Sequence, residues 1–118
     1  MLGQKHPDTL NSMNNLADTY NSQGRWKEAE DLHKQVLEIR ERVLGQEHPD
    51  TLSSMNNLAW AYKDQGQDTE ALSLMSRCVE VSTRKLGATH PHTLISAEAY
   101  KAWKEEQTGL SSEVAGGE

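Results

Sequence analysis

Apolar residues recur every three or four positions along most of this chain, and the pattern breaks at matching places. Leu10, Met13, Leu16, Ala17 and Tyr20 form one helical face, and Leu52, Met55, Leu58, Ala59 and Tyr62 form a second. After a break at Gly24 the period resumes through Trp26, Ala29, Leu32, Val36, Leu37, Ile39 and Val43; after Gly66 it resumes through Ala71, Leu72, Met75, Val79 and Leu86. Pro7 and Pro49 suit a first helical turn, where a missing N–H costs nothing, and Asp8 and Asp50 favour the positive end of the helix dipole. Gly24 and Gly66, each after a glutamine, supply the left-handed residue that ends a helix. Glu30/Lys34 and Glu38/Arg42 pair at i, i+4 on the outside of the second helix. The pattern therefore predicts a helix A followed by a helix B, twice.

The two halves are copies. "HPDTL" stands at 6–10 and at 48–52, and "HPHTL" at 90–94, so the starts are 42 residues apart (48 − 6 and 90 − 48). Segments 6–47 and 48–89 agree at roughly half their positions without a gap. Two antiparallel helices with one apolar face each cannot bury those faces alone, so the pairs must stack on one another. The expected fold is all-α, an α-solenoid of stacked antiparallel helix pairs. The expected divisions are a remnant of a preceding repeat at 1–5, repeats at 6–47 and 48–89, a capping helix at 90–108 and a disordered tail at 109–118. "LGQKHP" at 2–7 corresponds to "LGQEHP" at 44–49, which reads as the last turn of an earlier repeat in a longer array. In the third copy Lys101 and Lys104 occupy the Ala and Tyr positions while Tyr100 and Trp103 supply bulk elsewhere, as a polar-faced cap requires. "LSSEVAGGE" at 110–118 has no period.

These residues resemble the tetratricopeptide repeat, in its 42-residue form found in kinesin light chains and in the sensor arrays of STAND-class signalling NTPases; the motif is "HPDTL…NNLA.Y..QG". Leu16 and Leu58, Ala17 and Ala59, Tyr20 and Tyr62, and Ala29 and Ala71 take the family's expected places. The aromatic residue usual late in helix B appears instead as His33 and Met75. The resemblance implies a superhelix whose A helices line a concave surface, and a protein–protein interaction scaffold binding a peptide or protein there. Its alternative implication is a structural segment of a larger signalling ATPase's sensor array, self-associating through an exposed N-terminal repeat face.

Composition narrows the partner. A net charge of −6, with 12 basic against 18 acidic side chains, argues against nucleic acid or an anionic membrane, since both demand a positive field. Cys78 is the single cysteine, which excludes an intramolecular disulfide and points to a reducing, cytoplasmic setting. Nothing approaches a bilayer-spanning run or a secretion signal.

The chemistry expected on the concave face is amide-rich. Asn11, Asn14, Asp18 and Asn21 on the first helix A, Ser53, Asn56, Trp60 and Lys63 on the second, and Glu98 on the third flank the apolar stripe. An amide both donates and accepts, so Asn14 and Asn56 can hold the backbone of an extended peptide whatever its side chains; the competing reading is that the asparagines of each pair tie neighbouring helices together. Trp60, standing where the first repeat has Asp18, is a candidate anchor or simply packs on the next helix A. His6, His48 and His90 recur one repeat apart, on the order of 10 Å, too far to share a metal ion, and are read as helix-start residues. Cys78 matches Val36 and is expected to pack in the interior. No catalytic residue, metal site or cofactor is expected: catalysis needs unlike residues converging on one point, and a repeated surface presents like residues in a row.

Overall fold

The computed structural model describes the backbone of residues 7–117 and the side chains of residues 9–107. The helices are α1 (Pro7–Ser22), α2 (Trp26–Leu44), α3 (Pro49–Asp64), α4 (Asp68–Leu86) and α5 (Pro91–Gly117). They alternate as predicted: α1, α3 and α5 are A helices, α2 and α4 are B helices, and each packs on its chain neighbours. The expected remnant at 1–5, and His6, lie outside the described residues.

Each A-to-B turn closes in the same way. The Arg25 N–H donates to the Tyr20 carbonyl at 2.8 Å and the Gln67 N–H to the Tyr62 carbonyl at 2.9 Å, with Gly24 and Gly66 between at φ 77° and 80°. That bond across a left-handed glycine satisfies a carbonyl the helix end would leave orphaned. The histidines of the next helix start act as caps: His48 Nδ1 accepts from the Asp50 N–H at 3.0 Å, and His90 Nδ1 from the His92 N–H at 3.1 Å.

The core depends on position in the stack. Leu52, Met55, Leu58 and Ala59 of α3 are buried, because α3 lies between α2 and α4. Among the described residues, their counterparts on α1 have a B helix on one side only, α2: Leu10 and Ala17 are buried, but Leu16 is 44% exposed. Trp26 and Val43, which fit the helix B period, are also largely exposed, since they lie at the ends of α2 beyond the reach of its neighbours. On α5 the buried stripe is Thr93, Ser96, Ala99 and Trp103, which faces α4, while Leu94 and Ile95 are exposed. Burying Trp103 contributes roughly 2–3 kcal/mol, more than the exposed ion pairs nearby, so it fixes α5 in place. Cys78 is fully buried, with its Sγ 3.5 Å from the Leu52 carbonyl; burial pushes its thiol up, with Ser96 and Ser82 opposing.

The helical backbone of α5 runs on through residues 109–117. No proline follows Pro91 within the helix, and extending a formed helix is far easier than starting one. Residue 118 lies outside the described residues.

Three buried polar residues of α2 escape the apolar pattern: Glu30, His33 and Arg40. Arg40 joins three helices, its Nη1 donating to Ser54 Oγ at 2.8 Å and the Asp50 carbonyl at 3.1 Å on α3, its Nη2 to Asn11 Oδ1 at 3.2 Å on α1. Glu30 accepts from Lys34 Nζ and from Gln65 Nε2, each at 2.7 Å; burial raises its carboxyl, but those two donors outweigh it and the net shift is down. Replacing Arg40 with alanine removes charge-assisted bonds to both neighbouring A helices. We expect Arg40→Ala to lower unfolding free energy by about 2 kcal/mol, read from urea denaturation with unchanged helical circular dichroism.

Candidate functional site

The A helices turn one face away from the B layer, and adjacent A helices touch along it. Asn21 Nδ2 donates to Asp64 Oδ2 at 2.9 Å; Trp60 meets Trp103 edge to face, ring centroids 4.7 Å apart; Lys63 pairs with Glu106. Each contact joins residues 43 apart, one more than the repeat, so successive A helices meet with a one-residue offset. These contacts make two seams, one between α1 and α3 and one between α3 and α5.

The nine residues singled out from the sequence divide by what they touch. Asn11 accepts from Arg40 and Asn21 donates to Asp64, so these two amides tie helices together. Asn14 and Asn56, equivalent in the two repeats, are half-buried, and each has a buried Oδ1 with no hydrogen-bond partner among the described residues; Asn21 Oδ1 is in the same state. An unpaired buried amide oxygen costs roughly 1–3 kcal/mol. The same oxygen is left unpaired at one register position in both repeats. Asp18 is exposed, its carboxylate 3.8 Å from His33 Nε2. Ser53 is half-buried and Glu98 exposed. Trp60 does both things weighed for it: it packs on α5 through Trp103 and remains 43% exposed. Lys63 lies near Asp68 at 3.4 Å as well as pairing with Glu106, and its amine is raised chiefly by the Glu106 bond.

Sequence reasoning placed Asp64 on this face but passed over His33, Trp103 and Glu106 as parts of it. A signal for His33 was present in the repeat itself: where repeat one has Asp18 with His33, repeat two has Trp60 with Met75. Among the described residues no group of three His, Cys, Asp or Glu is placed to hold a metal ion, and no helix is long and apolar enough to cross a membrane.

Comparisons with known proteins agree with this architecture. The tetratricopeptide repeat family profile matches residues 8–81. Two solved structures of nearly identical TPR-like repeats from a Podosopora anserina protein described as a putative kinesin light chain are each 34% identical over 95% of this chain. One of them, a glutamine-to-methionine variant, superposes with a TM-score of 0.80 and the other with 0.78. The chain spans about half of each, 52% and 53%. No curated protein matches it significantly.

The buried histidine makes the stack acid-sensitive. Burial lowers the His33 imidazole below its ordinary value, with Asp18 pulling the other way; burial and then His90 lower His92. Above about pH 6.5 both are neutral in either state and stability is complete. Below it the unfolded chain takes up protons the folded chain refuses, so stability falls. Urea unfolding at about pH 7.5, 6.5 and 5.5 should show that decline, and His33→Met, which installs the residue of the second repeat, should make it markedly shallower.

Proposed function

Because the chain belongs to the tetratricopeptide repeat family, whose repeats generally serve as protein–protein interaction scaffolds, we propose that it binds a peptide or protein partner along the outward face of α1, α3 and α5. The observation that carries this is the matched pair Asn14 and Asn56, each with a buried side-chain oxygen that nothing in the described chain satisfies. Extended peptide backbone presents a polar group about every 3.3 Å, and a row of amides on successive helices can meet those groups without regard to sequence. Trp60, exposed beside Asn56 on α3, supplies the apolar anchor that such contacts need for affinity.

The chain acts by binding rather than by catalysis, as the repeat family typically does. Its partner is a protein rather than nucleic acid or membrane, consistent with a net charge of −6. A cytoplasmic location fits its one cysteine, held buried and unpaired.

The double variant Asn14→Ala/Asn56→Ala tests the binding face. Partner affinity, read by isothermal titration, is expected to fall roughly tenfold while the melting temperature holds or rises, since alanine removes unsatisfied groups. Unchanged affinity would move the binding surface elsewhere.

A further inference from the structure

The outward face is not uniform, and its asymmetry defines what it fits. Along the α1–α3 seam stand Asp18 on α1 and Asp64 on α3, both exposed carboxylates, with buried His33 beneath Asp18. His33 Nδ1 is buried without a partner among the described residues, and its lowered proton affinity keeps it from neutralising Asp18 near pH 7. The Asn21–Asp64 bond ties α1 to α3 one helical turn beyond Asp18 and Trp60. One helix over, the matching position holds Trp60 in place of Asp18, with its ring braced against buried Trp103. Lys63, the one cation among the nine face residues, is already engaged by Asp68 and Glu106.

We infer that this face selects an extended peptide carrying a lysine or arginine followed or preceded, two to four residues away, by a large apolar side chain. The cation sits between Asp18 and Asp64, and the apolar group lies against Trp60. Adjacent A helices stand on the order of 10 Å apart, which about three residues of extended chain span. The carboxylates attract the cation over a water-exposed surface, so they contribute selectivity and salt dependence more than raw affinity. The braced indole is held in one orientation before binding, which lowers the entropy lost on contact. The inference rests on the proposed binding face and adds to it the chemistry of the occupant.

The test is selection from a random octapeptide library on the immobilised chain, followed by titration of the enriched peptides against variants. Enrichment of Lys or Arg two to four positions from Leu, Ile, Phe or Trp is expected. Affinity should fall at least about fivefold in Asp18→Asn/Asp64→Asn, at least about tenfold in Trp60→Ala, and by a similar factor between roughly 50 and 500 mM salt. Asn replaces Asp with the same shape at exposed positions, so folding is preserved; circular dichroism confirms it for each variant. Enriched peptides that are acidic or uncharged, yet lose affinity in Asn14→Ala/Asn56→Ala, would overturn this inference and leave the binding face standing. Absence of enrichment, or peptides indifferent to all three variants, would overturn both.

Discussion

The contact between helix B of one repeat and helix A of the next determines the rest of this molecule. A helix pair buries one side of each helix and leaves the other side apolar, and the following pair must cover it. Here α2 receives α3 through Leu37 against the cluster containing Leu52 and Met55, and Arg40 fastens the same junction through Ser54 and the Asp50 carbonyl. The same guanidinium reaches Asn11, so α1 and α3 are held in register by one buried group on the helix between them. The register then fixes which A-helix residues meet. The one-residue offset joins Asn21 to Asp64 and Lys63 to Glu106.

How well each part could be read from the sequence follows the kind of interaction involved. The helices and their turns were legible because proline, glycine and the apolar period act locally, and these signals recur 42 residues apart. Family and fold class followed from the same strings. Leu16 and Leu58 carry the same apolar signal, but burial depends on neighbours on both sides: Leu58 has them and is 4% exposed, whereas Leu16 is 44% exposed. Glu30, His33 and Arg40 were hidden because a charge inside the helix B stripe is stable only with partners on other helices, which spacing along one helix does not reveal.

The repeat also separates architecture from specificity. Positions that stay constant, such as Ala17 and Ala59 or Gly24 and Gly66, serve packing and turns. Positions that change between repeats alter the character of the outward face while leaving the stack intact: Asp18, over His33, gives a polar, acidic place, and Trp60, against Trp103, an aromatic one. The price of the polar version is sensitivity to acid, because a buried neutral imidazole resists the proton that the unfolded chain accepts. Arg40 and Ser82 show a similar exchange at equivalent B-helix positions: the first fills its site with three bonds, while the second is fully buried beside Cys78.

The central claim is that the outward row of A helices, and not the B layer, is where a partner lies. Amide and indole NMR shifts of the labelled chain, followed as a bound peptide is titrated, address it most directly. The account predicts that perturbations gather on the side-chain amides of Asn14 and Asn56 and the indole N–H of Trp60, with α2 and α4 surface residues such as Arg77 and Arg84 unmoved. Perturbations concentrated on α2 and α4, with the Trp60 indole unchanged, would contradict it.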